Sequence, residues 1–232
     1  MPDNDSQTAL RGRPKDPAKR EAILDAAKAL FIAQGFAGTS MDAVATEAGV
    51  SKLTVYSHFS DKATLFAAAV EAKCEGMMPF PIFSLEAGDD LTVVLERIGH
   101  AFVTLINSEE AIALERLMAS LAGQDTEMAR LFFEAGPQRT LNEMERLLTR
   151  ARERGLVRLG DPAAAAELFF GMLQSCRHMQ LVIGCGEAPT EQDAKAHVRE
   201  VVRVFLKGYG VAPSWQSGPA FRGQVPLPQA SP

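Results

Sequence analysis

The sequence predicts an all-α protein in which an N-terminal head of three helices is joined to a larger helical body. Apolar residues recur at helical intervals along most of the 232 residues, and no window shows the strict alternation of a half-buried strand. Glycine, proline and capping residues separate the periodic segments. With 47% apolar and 23% charged residues, the composition is that of a soluble globular protein.

The positive charge is concentrated near the N-terminus, although the chain as a whole carries a formal net charge of −5. Residues 11–62 contain eight Lys or Arg against six Asp or Glu, whereas residues 63–232 contain 16 against 21. This division predicts a basic head on an acidic body, and the negative total argues against a protein that coats nucleic acid indiscriminately.

The apolar runs and the cysteines bear on the compartment. No apolar run is long enough to span a membrane and the N-terminus lacks the apolar core of a signal peptide, so we expect a cytoplasmic protein without a membrane partner. Cys74, Cys176 and Cys185 are an odd number of cysteines without the CxxC spacing of metal sites. We interpret them as buried free thiols, with a Cys176–Cys185 redox pair as the alternative.

Residues 1–15 are predicted to form a flexible basic arm. Arg11 and Arg13 lie in an Arg-Gly-Arg-Pro run, the core of a pattern whose arginines enter the minor groove of A·T-rich DNA. A solvated basic tail is the alternative interpretation of the same residues.

The first helix is predicted to begin at Pro17, after the capping residue Asp16, and to end at Gly35. It would pack across the next two helices and hold them. Its apolar side chains fall on one stripe, formed by Ile23, Ala27, Leu30 and Phe31.

Residues 39–59 predict two short helices joined by a tight turn, which is the arrangement of a helix-turn-helix. Thr39 and Asp42 form a capping-box signature for the first helix, and Gly49 ends it where a left-handed residue is needed. Ser51 is placed to cap the second helix. A helix this short is not stable alone, so neighbours must hold it while one face contacts DNA. Val55 and Phe59 share the inward face, and the polar residues lie mostly elsewhere: Lys52, Thr54, Tyr56, Ser57 and His58.

The predicted domains are a helix-turn-helix head at 16–75, a body at 76–210 and a disordered tail at 211–232. The last helix of the head is predicted to start at Asp61, with Leu65, Phe66, Ala69 and Val70 inward. Residues 76–88 are interpreted as a linker. The body is then predicted to contain helices over 90–107, 108–123, 126–136, 137–155, 161–184 and 190–208.

The run from Thr39 to Phe66 strongly resembles the TetR family of bacterial transcriptional regulators. The resemblance rests on Thr-Ser-Met-Asp-Ala-Val-Ala, Ala-Gly-Val-Ser-Lys, Val-Tyr-Ser-His-Phe-Ser-Asp-Lys and Leu-Phe, all in register. The segment 133–137 and the Asp161-Pro162 helix start are similar to the AefR-type C-terminal domain. The resemblance implies a homodimer that binds a palindromic operator in double-stranded DNA, usually as a repressor. It also implies a ligand-binding and dimerisation body that releases DNA when a small apolar or aromatic effector enters.

The resemblance also implies roles for individual DNA-binding residues. Ser40 would bind a phosphate at a helix N-terminus, and Lys52, Leu53 and Thr54 would face base edges. Lys52 would donate to guanine, and Thr54 would hydrogen-bond a base or contact a thymine methyl group. Many members carry glycine where this chain has Leu53. Phosphates would be bound by Tyr56, His58 and Lys62. The full candidate set is Arg11, Arg13, Thr39, Ser40, Ser51, Lys52, Leu53, Thr54, Tyr56, Ser57, His58 and Lys62.

Candidate effector-binding residues are aromatic, methionine and polar side chains inside the predicted helices of the body. At helical spacing the apolar residues equally fit positions in the core. His100 equally fits a hydrogen-bonded histidine in the core, and His178 equally fits a position facing solvent. The set is His100, Phe102, Met118, Phe133, Phe170, Gln174, Arg177 and His178. The helices at 162–184 and 190–208 are expected to pair with their mates in a dimer.

No motif for catalysis, phosphate binding or metal binding is present in the sequence, and the four histidines are scattered. We therefore expect no enzyme activity, no cofactor and no metal. Two other classes stay open at this point. One is an α-helical adaptor whose head binds a protein, and the other is a small helical enzyme whose site assembles only in space.

Overall fold

The structure is a computed structural model that describes residues 16–121 and 126–210. In these residues it contains ten α-helices and a short 3₁₀ turn at Phe80–Phe83, and the only extended pairing is a single bridge between Val157 and Gly210. The predicted all-α class is confirmed. Within these ranges no helix has the length and apolarity needed to cross a membrane. The helices are α1 Pro17–Gly38, α2 Met41–Glu47, α3 Lys52–His58, α4 Lys62–Met77, α5 Leu91–Ile106, α6 Glu109–Leu121, α7 Thr126–Ala135, α8 Pro137–Glu153, α9 Pro162–Ile183 and α10 Glu191–Tyr209.

Helices α1 to α4 pack around one apolar cluster. Ile23, Val44, Val55 and Leu65 are completely buried, so each of the four helices contributes at least one core side chain. The ring of Phe31 meets that of Phe66 edge to face, with centroids 5.2 Å apart. The predicted inward residues are therefore confirmed at α1, α3 and α4, with Leu30 only half-buried.

Most predicted helix starts are confirmed by the caps. The side chains of Asp16, Asp61, Asp90, Asp161 and Thr190 each accept a hydrogen bond from a backbone N–H in the first turn of the helix that follows. Each removes one of the unpaired donors that a helix N-terminus leaves.

The capping box predicted for Thr39 and Asp42 is wrong. The cap of α2 is Ser40, whose Oγ accepts from the backbone N–H of Ala43 at 3.1 Å. Thr39 is buried, and its hydroxyl donates to the carbonyl of Gly35 at 2.8 Å. The reason lies in Gly35, which adopts a left-handed φ of +71° and interrupts α1 without ending it. One further helical turn runs to Gly38, so Thr39 is the C-cap of α1 and Ser40 is the N-cap of α2.

The core of the body is formed by α5, α8, α9 and α10, and the segment predicted as a linker is part of it. Phe83 and Leu85 are buried against these helices, so residues 76–88 are packed chain over part of their length. Helices α5 and α10 approach closely at Gly99, where an added Cβ would lie 2.7 Å from Cγ1 of Val198.

Helix α9 carries a kink that the sequence did not predict. Ser175 has a φ of +54°, the one left-handed non-glycine residue in the described chain. Such a backbone conformation is strained for a residue with a side chain. The carbonyl of Leu173, just before the kink, accepts a hydrogen bond from Nε2 of His197 on α10 at 3.0 Å. The neighbouring helix therefore contributes a polar partner at the break.

Candidate nucleic-acid interface and internal cavity

Helix α3 has seven residues and is held in place by its neighbours. Val55 and Phe59 anchor it in the core of the head. Gly49 has a φ of +64°, and the N–H of Val50 bonds to the carbonyl of Ala45 at 3.0 Å, which closes the turn between α2 and α3. The predicted glycine turn is confirmed. Ser51 accepts from the N–H of Thr54 at 3.1 Å, as predicted for the cap.

The outer face of α3 presents four exposed side chains, Lys52, Leu53, Tyr56 and Ser57. Leu53 is 80% exposed and Tyr56 is 44% exposed. Nζ of Lys52 lies 6.0 Å from the centre of the Tyr56 ring and 2.8 Å from Oδ1 of Asp42 on α2. The hydrogen bond and charge of Asp42 raise the pKa of Lys52, so this side chain stays cationic at neutral pH.

The remaining polar residues of α3 are partly committed to the helix itself. Oγ1 of Thr54 lies 2.8 Å from Oγ of Ser51, and the hydroxyl of Ser57 donates to the carbonyl of Thr54 at 2.7 Å. His58 is half-buried, with its ring centre 6.2 Å from that of Phe59. Thr54 is also half-buried, so its hydroxyl is less available to a base than the sequence suggested.

Two predicted DNA-binding residues at the base of the head have structural partners. Thr39 is 1% exposed, so its side chain is turned into the head, and its contact with DNA stays a prediction. Lys62 is half-buried, and its Nζ donates to the carbonyls of Phe36 at 2.6 Å and Thr39 at 2.9 Å. It also lies 4.3 Å from the centre of the Phe36 ring. Two of its three N–H groups thus brace the end of α1, and a phosphate contact by the third stays a prediction.

Ser40 is exposed at the first turn of α2, where its Oγ caps the helix. It lies at a helix N-terminus as predicted, and its contact with a phosphate stays a prediction. Arg11 and Arg13 lie outside the described residues.

A cavity of about 730 Å³ lies between the head and the body. Helices α1 and α4 form one side of it, and α5 to α9 form the other. Four of the predicted effector-binding residues line it, namely Phe102, Phe133, Phe170 and Gln174. Six phenylalanines contribute to the walls, so the interior is apolar and aromatic: Phe31, Phe66, Phe102, Phe132, Phe133 and Phe170.

The other four predicted effector-binding residues do not line this cavity, and a role for them in effector binding stays a prediction. Met118 packs against the core of the head, and Arg177 is exposed with Nη1 3.6 Å from Oδ2 of Asp193. His100 is half-buried, and burial lowers its pKa. His178 is buried behind the cavity wall, where its ring nitrogens lie 3.1 Å from Oδ1 of Asn107 and 2.9 Å from Oε2 of Glu115.

The contribution of α1 and α4 to the cavity was not predicted from the sequence. Asp25, Lys28, Ala29 and Ile32 form a second face of α1, next to its core stripe, and this face borders the cavity. Ile32 is apolar but lies outside the predicted stripe, and it is exposed in the structure. An apolar residue outside the stripe is the feature of the sequence that could have indicated this second face.

Charged groups at the cavity occur mostly in pairs. Lys28 and Asp25 pair within α1 at 2.6 Å, and Lys73 of α4 pairs with Glu110 of α6 at 2.9 Å. The hydrogen bond from Lys73 lowers the pKa of Glu110, so this carboxylate is charged at neutral pH. The Lys73–Glu110 pair joins the last helix of the head to the body beside the cavity.

The three cysteines have different environments. Cys74 borders the cavity and is half-buried, and burial raises the pKa of its thiol. Cys176 and Cys185 are exposed, so the prediction of buried thiols is wrong for these two. Both belong to the second half of α9 and the turn after it, which packs only partly against the body.

Both halves of the chain match models of known protein families. Residues 23–69 match the model for bacterial regulatory proteins of the tetR family, and residues 93–211 match the model for the AefR-like transcriptional repressor C-terminal domain. The uncharacterised HTH-type transcriptional regulator YdeS of Bacillus subtilis is 28% identical over 85% of this chain and 93% of its own.

Two solved structures are similar over nearly all of their length. A TetR-family transcriptional regulator from Mesorhizobium loti is 30% identical, with a TM-score of 0.72 over 86% of this chain and 100% of its own. The flavonoid-responsive regulator FrrA is 31% identical, with a TM-score of 0.68 over 85% of this chain and 100% of its own. This chain thus shares its fold with these regulators over their whole length.

Proposed function

Because this chain belongs to the TetR family of bacterial transcriptional regulators, we propose that it is a homodimeric repressor that binds a palindromic operator and is released by an aromatic effector. The chain is a regulator with a helix-turn-helix DNA-binding domain and a ligand-binding body, and its relatives are regulators, not enzymes. The observation that carries the proposal is the outer face of α3, where Lys52, Leu53 and Tyr56 point away from the core. A face of this kind is what a recognition helix offers to the major groove.

The proposed dimer uses α9 and α10, the last two helices of the body. Leu168, Met179 and Ile183 on α9 are each more than half exposed, and Val204 on α10 is 42% exposed. Exposed apolar side chains on two adjacent helices support an interface that is covered by a second copy. A twofold axis there would place two α3 helices on successive half-sites, so the operator would be palindromic.

The proposed effector is a small aromatic molecule. The cavity has the volume of a typical ligand pocket, and aromatic walls with a few polar groups at the edge favour a planar, largely apolar occupant. The flavonoid-responsive FrrA, similar over its whole length, is consistent with that class. Gln174 would orient the ligand by a hydrogen bond.

The proposed release mechanism follows from the walls of the cavity. A ligand there would contact α1 and α4 of the head as well as five helices of the body. It would favour the arrangement of head and body that fits it better, and this changes DNA affinity only if that arrangement differs from the one that fits the operator. Repression, rather than activation, is the usual outcome in the family.

Selection of bound sequences from random duplex DNA tests this proposal. We expect an inverted repeat whose half-sites are about one helical turn apart, or a multiple of it. Sedimentation should give a dimer for the free protein, and affinity should fall steeply with salt because the protein displaces counterions from phosphates. Enrichment of no sequence, together with salt-independent binding of a protein partner, would support the adaptor alternative and overturn the proposal.

A further inference from the structure

Leu53 is the most exposed of the large apolar side chains in the described residues, at 80%. It lies two residues before Val55, which is fully buried, and two successive steps of about 100° turn a side chain to the opposite face of a helix. Leu53 therefore stands at the centre of the face that points away from the head. Tyr56 and Ser57, three and four residues later, lie beside it on that face.

The chemistry around Leu53 is polar. Lys52 carries a charge, and Tyr56 and Ser57 carry hydroxyl groups. Such groups suit the phosphates and the donors and acceptors of base edges. A leucine side chain satisfies none of these, and covering a base donor or acceptor with it would leave that polar group without a partner. The apolar group on a base edge in the major groove is the 5-methyl group of thymine.

We propose that Leu53 contacts a thymine 5-methyl group in each operator half-site and so fixes an A·T pair at that position. Thr54, the other residue suggested for a methyl contact, is half-buried and has its hydroxyl 2.8 Å from that of Ser51. It is less accessible than Leu53 for this contact. The inference rests on the proposed function, because it assumes that α3 enters the major groove.

The test uses an operator obtained by selection with the wild-type protein. Each thymine of one half-site, and its symmetry mate in the other, is replaced in turn by deoxyuridine, which removes only the methyl group and keeps base pairing. Affinities of the wild type and of Leu53→Ala are measured on every duplex at one salt concentration. Val93→Ala serves as the control, because Val93 is an exposed apolar residue on α5 of the body.

We expect one thymine position per half-site at which uracil weakens wild-type and Val93→Ala binding about fourfold per half-site, the effect of one buried methyl group. Leu53→Ala should bind the thymine and uracil duplexes equally. Leu53→Met, which keeps an apolar side chain, should retain part of the preference for thymine. Thermal unfolding of Leu53→Ala should match the wild type, since the residue is outside the core.

The inference is overturned if no thymine position is sensitive to uracil in the wild type, or if Leu53→Ala keeps the same sensitivity. In both cases the operator is still bound, so the proposed function stands. Failure of the wild type to select any sequence would instead overturn the proposed function, and the two failures are therefore distinguishable.

Discussion

Lys52 and Lys62 are two lysines of the head with different surroundings. Lys52 is largely exposed and is paired with Asp42, an equally exposed carboxylate. Lys62 is half-buried and donates to two backbone carbonyls while lying over the Phe36 ring. An exposed ion pair contributes little to stability, whereas hydrogen bonds from a charged donor in a half-buried position contribute more. Lys52 is thus placed for DNA binding and Lys62 for holding α1 against α4.

Replacing Lys62 by methionine should lower the free energy of unfolding by about 1–3 kcal/mol, since it removes the charged donor that Nζ supplies to the carbonyls of Phe36 and Thr39. Lys52→Met should leave the unfolding transition nearly unchanged and weaken DNA binding. Chemical denaturation of both variants measures the first effect and operator titration the second. Equal unfolding transitions for the two variants would show that the Lys62 contacts contribute nothing to stability.

The cysteines should differ in reactivity toward iodoacetamide. The thiolate is the reactive form, and burial raises the pKa of Cys74, so less thiolate is present there at neutral pH. Cys176 and Cys185 are exposed. Mass spectrometry after timed alkylation should therefore show rapid modification of Cys185, which lies in the turn after α9, and slow modification of Cys74. Modification of Cys74 at the same rate would mean that the head and the body separate readily around the cavity.

At the scale of helices, close packing depends on a few glycines. Gly99 lies where α5 meets α10, and a Cβ there would come within 2.7 Å of Val198 and 3.4 Å of Leu173. Gly76 is a helical residue of α4 at which an added Cβ would meet no atom within 4 Å. The two positions therefore separate the effect of packing from that of helix propensity.

Gly99→Ala should destabilise the protein by about 1–3 kcal/mol, because the core must move to admit a methyl group. Gly76→Ala should stabilise it by about 0.5–1 kcal/mol through helix propensity alone. Thermal and urea unfolding measure both. Stabilisation by Gly99→Ala would show that α5 and α10 are not closely packed at this point.

Helix starts were predictable from the sequence because capping is local chemistry, as at Asp16, Asp161 and Thr190. The Thr39 cap was predicted wrongly because Gly35 turns the chain without ending α1, and sequence spacing does not distinguish these outcomes. The kink at Ser175 and the inward orientation of the Lys62 side chain involve partners that are distant in sequence, so no local pattern predicts them. The domain boundary near residue 75 stays a prediction, since α6 and α7 of the body also pack on the head.

The same distinction between local patterns and contacts distant in sequence applies to the candidate site residues. The exposed face of α3 followed from the two buried anchors, Val55 and Phe59, whose spacing is visible in the sequence. The cavity could not be predicted in this way, because part of its wall is a second face of α1 and α4. His178 was singled out as a polar residue in an apolar helix, and it proved to be a buried partner of Glu115 behind the wall.

At the scale of the whole molecule, the cavity lies between the head and the body and is lined by helices of both. Ala111 of α6 lines it and is half-buried, so Ala111→Phe should reduce its volume. We expect at least about tenfold weaker binding of an anilinonaphthalene sulfonate dye, equivalent to about 1.4 kcal/mol, with operator affinity unchanged. Val93→Phe, on the exposed face of α5, is the control. Dye binding that is equal in both variants would place the apolar binding site elsewhere.

The central claim is that the outer face of α3 recognises the operator. The double variant Lys52→Ala with Tyr56→Ala tests it most directly. Binding to the selected operator is compared with a control that removes one paired cation and one exposed apolar side chain from the body, Arg146→Ala with Val93→Ala. We predict a loss of at least about a hundredfold in affinity for the α3 variant, with the dimer intact, and none for the control. Protection of the same DNA site by the α3 variant at wild-type affinity would contradict the account.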